Sequence, residues 1–159
     1  MVDTGDTAPE FTAPMATGEI ESFTLSEHLG EAPLVLAFFP AAFTTTCMTE
    51  LSTFQERIAA FEASGASIYG ISIDTPFTLN ELREQHGIEY PLISDTNREL
   101  IDLYDVSMDF EAYGVYELAK RSVFVVDEDG TVTYAWVSDD PAVEPDYDAV
   151  EDAVVAAGE

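Results

Sequence analysis

LVLAFFPAAFTTTC, residues 34–47, decides how this chain is read. Its first six residues are apolar without interruption, as in a central strand buried on both faces. Pro40 can close such a strand, because its ring fixes φ and removes a ladder donor. Three threonines follow, then Cys47, the only cysteine among 159 residues. Beyond it Leu51, Phe54, Ile58 and Phe61 recur at helical spacing and Gly65 supplies a stop, so the spacing predicts one helix through about residue 63. One of Thr44, Thr45 and Thr46 is then the N-cap, and Cys47 lies in or beside the first turn, where backbone N–H groups lack partners and the helix dipole is positive.

Outward from this stretch, strand-like runs alternate with helical ones. SIYGISI (67–73) precedes a helix that DTP (74–76) opens and His86-Gly87 closes; YPLIS (90–94) precedes a helix around 97–104. SVFVVD (122–127) and VTYAWV (132–137), joined through EDG, predict a hairpin with Gly130 in its turn, and a last helix starts near Tyr147. The order predicts an α/β fold with a central mixed sheet flanked by helices. GEAP (30–33) and DDPAVEPD (139–146) read as loops within a single domain over 1–159.

The net charge is −27, with 32 acidic residues against Arg57, Arg83, Arg98, Lys120 and Arg121. Such a surface repels phosphate backbones and anionic lipids, so neither nucleic acid nor membrane is an expected partner. With 47% hydrophobic residues the chain is nonetheless rich enough to fold. Acids spread along the whole length favour a halophilic protein, since about 1 M salt shortens the screening length to roughly 3 Å. MVDTGDTAPEF has neither a basic nor an apolar leader region, so a cytoplasmic location is expected. One cysteine cannot form an internal disulfide, and His28 and His86 give no Cys/His spacing for a metal or cofactor.

Only the thiolate of a cysteine is a strong nucleophile, and a helix N-terminus and a nearby cation both favour it. Arg57, Arg83 and Arg98 fall in acid-rich helices, where ion pairs along the helix face are expected. Lys120-Arg121 is the one adjacent basic pair, at the entry to an apolar strand, and Arg121 is the best candidate partner for Cys47.

Pro40, Thr44 and Cys47 form P-x-x-x-T-x-x-C, with Glu50 three residues on. Together with GDTAPEFTAP near the start and RSVFVVDEDGTV later, the chain resembles the peroxiredoxins of the alkyl hydroperoxide reductase/thiol-specific antioxidant superfamily over nearly its whole length. It is most similar to the alkyl hydroperoxide reductase E-like group, although the bacterioferritin comigratory protein group shares several features. The resemblance implies a thioredoxin-like fold and a thiol-dependent peroxidase acting on hydrogen peroxide or organic hydroperoxides. It further implies that Cys47 attacks the peroxide and becomes a sulfenic acid. By the same resemblance Thr44 would hydrogen-bond thiolate and peroxide, and Arg121 would stabilise the thiolate and the leaving oxygen. Pro40 would shield the pocket and Glu50 would orient the arginine. Homodimers or larger homo-oligomers are also implied.

Many members carry a second, resolving cysteine, and this chain has none. A one-cysteine cycle is therefore expected, with an external thiol or a thioredoxin- or glutaredoxin-like protein as reductant. Two rivals are a cysteine hydrolase using a histidine base and a non-enzymatic interaction module or holdase in which Cys47 is a buried, unreactive hydrophobe. Phe38, Phe39 and Phe43 could line an apolar approach or simply fill the core.

Overall fold

A computed structural model describes residues 1–158. Its frame is a seven-stranded mixed sheet. In chain order the strands are β1 (Thr12–Ala16), β2 (Ile20–Thr24), β3 (Leu34–Phe38), β4 (Ser67–Ser72) and β5 (Leu92–Ser94). A separate hairpin, β6 (Ser107–Phe110) and β7 (Val115–Ala119), comes next, and β8 (Ser122–Val126) and β9 (Val132–Val137) return to the sheet. The spatial order is β2-β1-β5-β4-β3-β8-β9, with β3, β4 and β5 parallel and the other pairings antiparallel. The helices are α1 (Thr45–Glu56), α2 (Ile58–Ala63), α3 (Pro76–His86), α4 (Glu99–Leu103) and α5 (Tyr147–Ala157). None of the described helices is long and apolar enough to cross a membrane.

Strand β3 lies in the interior of the sheet and every residue of it is buried, as its unbroken apolar run predicts. The two-residue period divides it: Leu34, Leu36 and Phe38 join a core with Phe23, Leu100 and Tyr104, whereas Val35, Ala37 and the following Phe39 join Leu51, Phe54, Leu79 and Val150. Full burial of each such side chain contributes about 1.5–3 kcal/mol. Gly70 on β4 permits the close packing here, because a Cβ would stand 2.6 Å from the Leu92 side chain and 3.4 Å from that of Leu51. The β8–β9 hairpin forms as predicted, with Gly130 at φ 79° in its turn.

The helix expected from Cys47 to about residue 63 is instead two. It breaks at Arg57 (φ −95°, ψ 3°), whose guanidinium reaches Asp148 at 2.8 Å and Glu151 at 3.2 Å on α5. The expectation of ion pairs along one helix face also fails. Arg57 pairs between helices, Arg83 donates to the Glu89 and Tyr90 carbonyls, and Arg98 donates to the Glu117 carbonyl. Strands β1 and β2 and the β6–β7 hairpin have no counterpart in the sequence reading.

Candidate active site

Thr44 is the residue that begins α1: its φ and ψ are −88° and 150°, and its carbonyl accepts the first helical bond, from Met48 N–H at 2.9 Å. Cys47 therefore lies in the first turn, as the threonine run predicts. Its side chain is 1% exposed and points to the edge of an apolar core. The non-enzymatic rival anticipates that burial but not the neighbour: Arg121 Nη2 donates to Cys47 Sγ at 3.2 Å. A guanidinium N–H is thus aimed directly at the sulfur, a charge-assisted contact that a merely packed thiol does not need.

Arg121 stands between β7 and β8, and its side chain is 1% exposed. Nη1 donates to Glu50 Oε1 at 2.6 Å, and Glu50 is fully buried one turn along α1 from Cys47. Burial pushes the Glu50 carboxyl up, to about 7, against the pull of Arg121. Glu50 Oε2 has no hydrogen-bond partner among the described residues, which acts in the same direction, since an unpaired buried anionic oxygen is costly. For Arg121 burial works to lower the basicity, and the adjacent Glu50 and Cys47 outweigh it, leaving the group above its ordinary value. Arg121 is thus a firm cation between a sulfur and a carboxyl that titrates close to neutrality.

Above Cys47 opens a cavity of about 470 Å³. Pro40, Thr44 and Arg121 line it, so the structure brings these three together with the cysteine, while Glu50 stands behind the arginine. The Thr44 hydroxyl donates to the Ala41 carbonyl at 2.8 Å, not to Cys47. With its one proton committed, that oxygen still has a lone pair for an incoming O–H. Ala42 N–H donates to Asp74 Oδ2 at 2.8 Å, tying the loop to the end of β4.

The phenylalanines near the motif do not form the approach. Phe38 and Phe39 are wholly buried in the two cores, and Phe43, at φ 65°, is exposed and absent from the cavity wall. The apolar wall comes from Phe110, Tyr113, Val115 and Leu118 on the β6–β7 hairpin, and from Pro141 and Ala142 after β9. The only local hint of that hairpin is Tyr113-Gly114, where Gly114 adopts φ 67°. Among the described residues neither histidine hydrogen-bonds Cys47: His28 Nδ1 contacts the Thr24 carbonyl and its ring stacks on Phe23, while His86 faces Phe43, so the contacts give the hydrolase rival no support. Lys120, the other half of the basic pair, bridges to Asp139 at 2.8 Å. No group of His, Cys, Asp and Glu among the described residues is arranged to hold a metal ion.

Comparison with known proteins agrees with this arrangement. The model of the AhpC/TSA family matches residues 4–135. Rv2521 of Mycobacterium tuberculosis, named as a candidate peroxiredoxin, is 36% identical over 132 residues, covering 82% of each chain. Bovine peroxiredoxin-2 is 32% identical over 145 residues, covering 86% of this chain and 70% of its own. The crystal structure of peroxidoxin BcpB from Mycobacterium tuberculosis superposes with a TM-score of 0.84 at 30% identity, covering 98% of both chains. With a thioredoxin-like sheet, a cysteine in the first turn of α1 and an arginine against its sulfur, the chain belongs to the AhpC/TSA family and is a peroxiredoxin, a thiol peroxidase.

Proposed function

We propose that this peroxiredoxin reduces organic hydroperoxides in preference to hydrogen peroxide by a one-cysteine cycle. The observation that carries the reading is Arg121 Nη2 at 3.2 Å from Cys47 Sγ, at the base of a cavity walled by Phe110, Tyr113, Val115 and Leu118. The Cys47 thiolate attacks the terminal peroxide oxygen, the O–O bond breaks, and the alkoxide leaves and takes a proton to become an alcohol. Thr44 Oγ1 accepts the peroxide O–H, and Arg121 offsets the charge passing from sulfur to the leaving oxygen. Pro40 and the apolar wall limit water around the sulfur. Because the chain has no second cysteine, one external thiol condenses with the sulfenic acid, releasing water, and a second thiol reduces that mixed disulfide.

Reduced protein mixed with one equivalent of cumene hydroperoxide should gain one oxygen by intact mass and lose it when a small thiol is added. The cumene rate should exceed the hydrogen peroxide rate by roughly tenfold or more, the value of a buried apolar contact in discrimination. Val115→Ser should narrow that ratio without slowing the hydrogen peroxide reaction. A ratio of one in the native protein would remove the organic preference.

The charge supports a working environment of high salt, in the cytoplasm of a cell that accumulates it. Among the described residues, salt bridges engage only Asp105, Asp148, Glu151, Asp139 and Glu50 as acids. The remaining carboxylates repel one another unless screened. Raising KCl from about 0.1 M to about 2 M should lift Tm by at least roughly 3 °C, the worth of about 1 kcal/mol in a chain this long. A salt-independent Tm would refute the halophilic assignment. Self-association into a homodimer or larger homo-oligomer is part of the same proposal, since screening lets such acidic surfaces meet.

A further inference from the structure

Arg121 makes one set of contacts that the peroxidase reading leaves unused. Nε and Nη2 both donate to the carbonyl of Pro141, at 3.2 and 2.8 Å. Nη2 carries two N–H groups, and with one on Pro141 the other is directed at Cys47 Sγ. A backbone carbonyl is a neutral acceptor, so it orients the guanidinium without cancelling its charge. Glu50 on Nη1 fixes the opposite corner of the fork.

The Pro141 carbonyl is itself held by a small polar turn. Ser138 Oγ accepts from Asp140 N–H at 3.1 Å and donates to the Asp140 carbonyl at 2.9 Å. Asp140 Oδ1 accepts from Ala142 N–H at 2.9 Å, and the Asp140 carbonyl also accepts from Val143 N–H at 3.2 Å. Ser138 N–H donates to the backbone carbonyl of Arg121 at 2.9 Å. The turn therefore grips Arg121 by both its main chain and its guanidinium, while Pro141 and Ala142 also form part of the cavity wall.

We infer that the Ser138–Ala142 turn positions Arg121 for the reaction at Cys47, with the Ser138 hydroxyl as the fastening that holds the Pro141 carbonyl against the guanidinium. The inference rests on the peroxidase reading of Cys47 and adds to it a positioning residue, Ser138, whose hydroxyl is engaged by Asp140 and acts on the sulfur only through Arg121. When the fastening is removed, Arg121 loses a fixed orientation and the turn admits water that screens its charge, so Cys47 becomes less reactive.

Ser138→Ala changes no charge and removes the two hydroxyl bonds. It should slow single-turnover oxidation of Cys47 by hydrogen peroxide, and alkylation of Cys47 by iodoacetamide at neutral pH, by roughly two- to tenfold, the worth of about one net hydrogen bond. Ser138→Thr keeps the hydroxyl and should restore both rates. Native rates for Ser138→Ala in both reactions would overturn the inference, as would equal slowing in Ser138→Thr. The alkylation readout separates the two ideas. If the native protein were oxidised no faster than free cysteine while Ser138→Ala still slowed alkylation and Ser138→Thr restored it, the peroxidase reading would fall and the positioning role would stand.

Discussion

Cys47→Ser should lose peroxidase activity to background, a fall of roughly 10³-fold or more, while keeping the fold. A serine hydroxyl stays protonated at neutral pH even beside a guanidinium, so no anion is available to attack the O–O bond. The fold should survive because the smaller side chain can still accept from Arg121 Nη2, and the apolar contacts of Leu51 and Phe54 on the same helix face do not depend on sulfur. Intact mass after peroxide treatment is the decisive readout, with one refinement. The chain has four methionines, and Met48 adjoins the cysteine, so a gain of one oxygen could arise at a thioether. A sulfenic acid is reversed by a simple thiol whereas a methionine sulfoxide is not, so the thiol-reversible fraction should vanish in Cys47→Ser. A thiol-reversible oxidation that persists in the variant would place the chemistry elsewhere.

The parts of this molecule legible in its sequence are those fixed by short-range pattern. LVLAFF and SVFVV read as buried strands because an interior strand in a covered sheet has apolar demands on both faces. Cys47 read as a first-turn residue because threonines precede it and a helical stripe follows. Arg121 stands out among only five cations by its place at the entry to an apolar strand, although the helix-face pairs expected of Arg57, Arg83 and Arg98 do not form. What the sequence hid depends on long-range contact. The break at Arg57 involves neither glycine nor proline and coincides with a side chain tethered to α5. The cavity wall on β6–β7 lies more than sixty residues beyond Cys47, on a strand whose first three residues are exposed and whose alternation is weak. Pro141 read as an ordinary loop residue, because a backbone carbonyl that accepts from a buried arginine leaves no mark on residue type.

Arg121→Ala should slow peroxide reduction by roughly 10²–10³-fold, the usual consequence of removing a donor aimed at developing charge. It should also destabilise the protein, because it strands Glu50, whose side chain is fully buried. Breaking one partner out of a buried ion pair typically costs about 3–5 kcal/mol. Here Glu50 can relieve part of that cost by taking a proton, since burial already lifts its carboxyl to about 7. For such a group the folded form holds the proton more tightly than the unfolded chain does. Its contribution to stability is therefore fully present below the unfolded carboxyl range and is lost as pH rises through about 7. Without Arg121 to oppose burial that upper limit moves higher still, so Arg121→Ala should approach native stability near pH 5 and fall furthest behind above pH 7. Adding Glu50→Gln to Arg121→Ala removes the stranded charge and should recover most of the lost stability at pH 8, yet leave the rate as low as in the single variant, because Cys47 still lacks its cation. Recovery of stability and rate together would mean that Arg121 acts only by holding the fold, and the contact at 3.2 Å would lose its place in the reaction.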